Sequence, residues 1–410
     1  MSRTLIDSRD RIRRRASDCA DALVELSTAR TGRPAFGPDY PRAVDPGAAN
    51  PALFNGGAGT AWAYAHLARV LGRDDLAELA AREITAAVAS LHQVRDEGVF
   101  TGRSGVIAAA IAISDLIGEV IPGVADLKPT RAERLDSITV GDGVAGWLLA
   151  AVRASEPPAE ALDSVRRIAA AASHGPEGSS WPNRVQHASC GLANGNSGIA
   201  WALTEAAWAY PSIAVPALTL ARRALSWERA SFDEVQRAWP EAGREPATFP
   251  TDWANGSAGI GAIRLRLLYL KGCGVPLQVP DADLLADADA ALHTCSHVVT
   301  AALTSARTEG NGRIPGGLTV AGGIGSAIDL MVLGYEQLDV PEYLNAALSF
   351  LDELIEVLGS DPLTWPAGGD GTGLFNGLAG TALVLARAGY PGHGVVAPSL
   401  LPTGDLPPWA

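Results

Sequence analysis

Apolar positions along this chain fall into two kinds of run that alternate. In the first kind nearly every position is apolar or small, as over residues 198–209 and 378–388. A helix apolar all round is a buried helix. In the second kind, as over residues 74–92 and 341–358, Asp, Glu and Arg recur on one face, so only one side needs cover. The pattern predicts helices over about residues 7–29, 56–70, 74–92, 102–117, 143–154, 195–210, 214–229, 256–270, 281–304, 322–333, 341–358 and 377–388. A further helix starts at Pro157-Pro158, since proline is tolerated in a first turn. Residues 31–51, rich in Pro and Gly, read as a long loop. Residues 118–136 hold a short helix at best, around 129–135, and 391–410 read as an irregular tail.

Each buried run opens the same way, with a polar or small residue followed by Gly-x-x-Gly. The copies are Asn55-Gly56…Gly59, Thr101-Gly102…Gly105, Asp142-Gly143…Gly146, Asn194-Gly195…Gly198, Asn255-Gly256…Gly259, Ala321-Gly322…Gly325 and Asn376-Gly377…Gly380. One such pair means little, but seven, each opening an apolar run, define a repeat long enough for two helices and their loops. The residue ahead of each pair reads as an N-cap, Asn194 above all, with Ala321 the exception. Seven buried helices inside seven half-exposed ones make an all-α, (α/α)7 double-ring toroid. It forms a single domain over 1–410, with an N-terminal helix and loop over 1–50. The first and last buried runs are as apolar as the middle ones, which favours closure over an open solenoid with polar caps.

Composition narrows the functional classes. The net charge of −13 argues against a nucleic-acid binder. The local cluster Arg9, Arg11, Arg13, Arg14 and Arg15 reads as a solvated helix face or a docking surface for an acidic partner. Cys19, Cys190, Cys273 and Cys295 form no CxxC pair, which fits a reducing compartment. No signal peptide and no apolar run of membrane-spanning length are present, so the expectation is a cytoplasmic protein without a membrane partner.

In a ring of this kind the seven glycine turns gather at one end. Each is expected to bring free N–H groups and partial positive charge, favouring a thiolate or an enolate. The loops there carry the unusual side chains. Trp181, Asn183, Arg184, His187 and Cys190 precede the fourth pair, and Asp252 and Trp253 the fifth. Glu309, Asn311 and Arg313 precede the sixth, and Trp365 and Asp370 the seventh. Trp181 and Trp365 read either as loop anchors or as ligand contacts, and His187 as a structural histidine or a general base. His293 and His297 have metal-ligand spacing on an outer helix, with no third ligand nearby in sequence. No phosphate-binding loop, dinucleotide fingerprint, kinase signature or nucleophile elbow is present.

These repeats resemble the lanthionine synthetase C-like family of peptide cyclases over nearly the whole chain. The most specific matches are Trp253-Ala254-Asn255-Gly256 and Gly373-Leu374-Phe375-Asn376-Gly377-Leu378-Ala379-Gly380. The resemblance implies an (α/α)7 toroid that adds a peptide cysteine thiol across a dehydroalanine or dehydrobutyrine. Zinc-binding members hold the metal with a cysteine in Trp-Cys-x-Gly and an adjacent Cys-His before the sixth pair. Here those positions are Ala254, Val320 and Ala321, so no zinc and no other cofactor is expected. The family's histidine before the fourth pair is Asn194, and its aspartate four residues before the third pair is Thr139, with Asp142 nearby.

The resemblance then implies a zinc-independent cyclase, with His187, Asp142, Arg184 and Asn194 as catalytic candidates. Trp181, Asp252, Trp253, Asn255, Glu309, Arg313, Trp365, Asp370 and Asn376 are the candidates for binding substrate. The expected partner is a dehydrated precursor peptide. Separate kinase and lyase subunits are further candidate partners, because zinc-free members occur fused to such domains or as stand-alone subunits. Without kinase signatures, the chain reads as the stand-alone kind or an excised domain. Two other readings stay open: an inactive scaffold that binds the precursor for partner enzymes, and a carbohydrate-active enzyme using Asp252, Glu309 and Asp370 as acid and base.

Overall fold

The computed structural model describes residues 3–29, 50–94, 96–124, 127–128, 135–183, 187–308, 314–367 and 371–401. Thirteen α-helices lie among them. They are α1 (Arg3–Ala29), α2 (Gly57–Leu71), α3 (Asp74–Ala89), α4 (Arg103–Ile117), α5 (Val144–Arg153), α6 (Pro158–Ala170) and α7 (Asn196–Ala209). Then follow α8 (Ala214–Ala230), α9 (Ser257–Gly272), α10 (Asp281–Thr308), α11 (Gly325–Leu338), α12 (Pro341–Leu358) and α13 (Leu378–Gly389). The predicted helices are all present, with ends moved by a few residues. The predicted loop at 31–51 and short helix near 129–135 fall almost wholly outside the described residues. Sequence patterning missed a short hairpin, β1 (Ser173–Gly175) against β2 (Gly178–Ser180), paired antiparallel with Gly175 opposite Gly178.

The two hydrophobic patterns have the expected fates. In α2, α5, α7, α9 and α13 the first two-thirds or more of each helix is buried in an unbroken run. In α3, α6 and α12 buried positions recur every three or four residues, as Leu76, Ala80, Ile84 and Ala87 do in α3. Pro158 and Pro341 open α6 and α12, where a missing N–H costs nothing.

The chain forms two compact units. Among the described residues, the first comprises those within 1–95, 109–125 and 295–401, and the second those within 96–108 and 126–294. In the first unit α2 packs on α3 and α11 on α12, while α1 packs on α13 and α12. The arginine cluster holds α1 there. Arg9 and Arg13 donate to Gly389 O at 3.0 and 2.8 Å, and Arg11 pairs with Asp352 at 2.6 Å. In the second unit α7 packs on α5, α8 and α9, and α5 on α6.

Candidate functional site

The loop ahead of each glycine-led helix doubles back over that helix's N-terminus. In six copies the first helical N–H, and in the sixth the N–H of Ile324 just ahead of α11, donates to the carbonyl seven residues earlier. The pairs are Gly57 to Asn50, Arg103 to Asp96, Val144 to Ser137, Asn196 to Ser189, Ser257 to Pro250, Ile324 to Gly317 and Leu378 to Gly371, at 2.8–3.1 Å. This closure explains the glycines. A Cβ on Gly198 would stand 1.9 Å from Leu192 O and 2.8 Å from Val140 Cγ2. A Cβ on Gly56 would stand 2.4 Å from Asn50 O.

Three expectations are corrected by this geometry. The N-cap positions are the glycines Gly56, Gly143, Gly195, Gly256 and Gly377, in extended conformation and without side-chain caps; Asn194 is not an N-cap. The first helical N–H of every copy is bonded to its own loop, so the seven turns do not present that set of amides to an anion. The sixth copy is Gly323 with Ser326, not Gly322 with Gly325. The Ile324 N–H to Gly317 O bond sets that register, and a Cβ on Gly323 would meet Gly317 O at 2.3 Å, whereas one on Gly322 would have at least 3.5 Å. The shift of one residue puts Ala321 and Gly322, rather than Val320 and Ala321, immediately ahead of the sixth pair.

Successive loops are stitched together by backbone bonds. In the second unit Gly141 N–H donates to Ala193 O at 2.7 Å, and Ala193 N–H to Ala254 O at 2.8 Å. In the first, Ala321 N–H donates to Phe375 O at 2.8 Å and Phe375 N–H to Phe54 O at 3.0 Å, with the two phenyl rings stacked 4.8 Å apart.

The loops of the third, fourth and fifth copies line a half-open cavity of about 250 Å³. Thr139, Asn194 and Asn255 line it from the glycine turns, and Asn183, Ser189 and Cys190 from the loop ahead of α7. Pro240, Glu241 and Ala242 close it from the segment ahead of α9. The lining is rich in carboxamides and hydroxyls. The Asn194 amide donates to Asn255 Oδ1 at 3.1 Å, and Asn183 Nδ2 to Ser189 Oγ at 2.8 Å. Burial, and then the nearby Glu228 carboxylate, push the Cys190 thiol well above the usual thiol range, so it stands protonated.

A buried ionic cluster beneath the cavity fixes its wall. Glu228 of α8, fully buried, accepts from Gly191 N–H at 2.9 Å, from the Ser197 N–H at 3.3 Å and from the Ser197 hydroxyl. Arg264 of α9, also fully buried, donates to Glu228 at 2.8 Å, Asp287 at 2.9 Å and Ser197 Oγ at 2.9 Å. Gly191 adopts φ +106° and sits where a Cβ would fall 2.6 Å from Asn255 Cα. Glu228 therefore satisfies the α7 N-terminus from another helix and pins the loop that brings Cys190 and Asn194 against Asn255.

The predicted site residues divide accordingly. Asn194 and Asn255 meet in the cavity. Asp142 accepts from cavity-lining Thr139 at 2.8 Å. His187 is exposed, and its imidazole lies against Gly243: a Cβ there would be 2.8 Å from Nε2. Gly243 follows the cavity-lining Ala242, so His187, not itself a lining residue, packs beside the segment that borders the cavity. Asp252 is occupied in its own turn, accepting from Ala254 and Asn255 N–H at 2.7 and 2.9 Å. Trp181, 1% exposed, donates to Ile168 O at 2.6 Å and anchors its loop; Trp365 does likewise through Gly359 O at 3.1 Å. Trp253 is buried edge-on against Phe100 at 4.8 Å. Asn376 receives Asn55 Oδ1 at its backbone N–H, at 3.1 Å, in the first unit. Arg184, Glu309, Arg313 and Asp370 lie outside the described residues. Glu241 is a cavity residue that sequence reasoning missed, and Asn183, noted among the loop side chains, was not carried into the candidate set; no repeat position marks them, because the segments carrying them differ from copy to copy.

A family model described as "Lanthionine synthetase C-like protein" matches residues 47–388, and the chain belongs to that family. Among solved structures it is similar to nisin cyclase, with a TM-score of 0.59 and 15% identity over 91% of this chain and 94% of that one. The fold is the α/α toroid of that protein. No curated protein sequence matches. The positions that the resemblance sets against zinc ligands hold Ala254, Val320 and Ala321, or Ala254, Ala321 and Gly322 in the register of the sixth copy described above, and none of these side chains offers a donor to a metal. Among the described residues no group of three metal-binding side chains occurs, and no helix is long and apolar enough to cross a membrane.

Proposed function

We propose that this chain is a peptide cyclase that forms thioether rings without zinc, by adding a cysteine thiol of a dehydrated precursor peptide to a dehydroalanine or dehydrobutyrine. The observation that carries the reading is the cavity between the third, fourth and fifth glycine turns of a family member with no metal donor at the positions set against zinc ligands. A free thiol, with a pKa near 8.5, is only a few per cent thiolate at neutral pH. A base must therefore take its proton, and His187, beside the segment that borders the cavity, has the right chemistry. The sulfur then bonds to the β-carbon of the dehydro residue, the C=C electron pair moves toward the carbonyl, and a proton returns to the α-carbon. The hydroxyl of Thr139, backed by the Asp142 carboxylate at 2.8 Å, offers a path for that proton. The protonated state of Cys190 matters equally, since a thiolate there would add to the acceptor itself.

The test is cyclisation of a synthetic peptide with one cysteine and one dehydroalanine, read by mass after thiol alkylation. Wild-type protein should accelerate ring closure, and His187→Ala should lower the rate about 10²–10⁴-fold. Ring closure no faster than the uncatalysed background, with the peptide still bound, would replace the cyclase reading by the scaffold one.

A further inference from the structure

We propose that Asn194 and Asn255 act as a two-point clamp that reads the N–H and C=O of one extended substrate residue and so sets which stretch of chain lies in the cavity. The proposal rests on the peptide-cyclase reading and deepens it. The two residues occupy the same position, immediately ahead of the first glycine, in adjacent copies of the repeat. Their spacing is fixed from below by the Ala193 N–H to Ala254 O bond at 2.8 Å and by the packing of Gly191 on Asn255. Their side chains share one hydrogen bond, at 3.1 Å, and both line the cavity.

That single bond leaves a complementary pair of sites. With Asn194 donating, its own Oδ1 remains an acceptor and Asn255 Nδ2 remains a donor. Reversing both carboxamides exchanges the roles and leaves one acceptor and one donor all the same. A residue of an extended chain presents its own N–H and C=O on the same edge, which is the matching set. A bound carboxylate or fully ionised phosphate ester would not match so well: neither offers a hydrogen-bond donor, and the pair carries no charge to compensate theirs. A volume of about 250 Å³, below the ~300–1,000 Å³ of typical small-molecule pockets, suits a short extended stretch rather than a finished ring. The substitution of Asn194 for the histidine of the family pattern then exchanges a titrating side chain for a backbone reader.

The probe is a fluorescein-labelled, alanine-rich peptide carrying one dehydroalanine and one S-methylated cysteine, which binds but cannot cyclise. Its affinity is measured by anisotropy for wild type, Asn194→Ala, Asn255→Ala and the double variant, with thermal unfolding as a check on folding. Each hydrogen bond lost should weaken binding about 3–10-fold. A series of probes N-methylated at successive positions supplies the readout that a merely structural role would not move. One position should weaken wild-type binding by a similar factor and have little further effect in an asparagine variant. No such position, unchanged affinity in both single variants, or no binding to wild type, would each overturn the clamp. Failure of the cyclase reading looks different: asparagine-dependent binding of the probe with no ring closure on the reactive peptide would leave the clamp standing.

Discussion

Removing the charge of Glu228 tests how the cavity wall is held. Glu228→Gln keeps the shape and one acceptor for the Gly191 N–H, but turns an NH2 group toward a cluster built of donors. Arg264 is fully buried and would keep Asp287 as its one carboxylate partner. Breaking a buried ion pair from one side costs about 3–5 kcal/mol. With Asp287 retained, the lower end applies, about 3 kcal/mol. At an unfolding entropy of about 2.1 cal/mol/K per residue, a 410-residue domain moves by roughly 1 °C per kcal/mol, so unfolding should move down by ~3–4 °C. The assay is thermal and urea unfolding of Glu228→Gln, Arg264→Met and the double variant. Removing both charges leaves neither Glu228 nor Arg264 facing a lost partner, and Asp287 keeps Arg229 at 3.5 Å, so the double variant should be more stable than the sum of the singles predicts, by at least about 1 kcal/mol. A Glu228→Gln shift below about 2 °C, or singles that add within about 0.5 kcal/mol, would refute the account. It would mean that Gly191 and the α7 N-terminus are held by something other than this pair.

Other outcomes follow from the same geometry. Gly198→Ala should cost at least about 3 kcal/mol in urea unfolding, because its Cβ meets a backbone carbonyl, whereas Gly272→Ala, at the exposed end of α9 with nothing within 4 Å, should be neutral or slightly stabilising. The register of the sixth repeat predicts that Gly323→Ala is far more destabilising than Gly322→Ala; equal effects would contradict it. His66 of α2 is held down to about 3 by burial and then by Arg69 and Arg387, so it stays neutral while the unfolded chain takes up a proton below about 6.5. Its contribution to stability is therefore present at neutral pH and is lost as pH falls from about 6.5 toward 3. His66→Leu should remove about 2 kcal/mol of the loss that the wild type shows in urea unfolding between pH 7 and pH 5.

Much of the fold was legible because buried and half-buried helices differ in periodicity, and because close packing demands glycine at a fixed place in every copy. The pairs were found, and with them the helix starts to within a few residues. Their physical role was misread for a local reason. Asn194 has the composition of an N-cap, but the cap is a carbonyl contributed by a loop that folds back from seven residues away, and sequence gives no sign of that return. The sixth copy was displaced by one residue because Gly322-Gly323 offers two glycines and Ser326 breaks the pattern. Asn194 and Asn255, which line the cavity, were legible from their repeat position. Glu228 was not, since an acidic residue near the end of a half-exposed helix reads as solvated until Arg264 is seen beside it. Trp181, Trp253 and Trp365 illustrate the converse: large aromatics on loops draw attention as ligand contacts, and here their rings are buried.

The central claim, thioether formation without zinc, is tested most directly by measuring ring closure and metal content on the same sample. Protein treated exhaustively with chelator is assayed for cyclisation of the dehydroalanine–cysteine peptide, and its zinc is counted by elemental analysis. The account predicts an undiminished rate at well below one zinc per ten chains. A rate that falls with the metal and returns on adding zinc would contradict it.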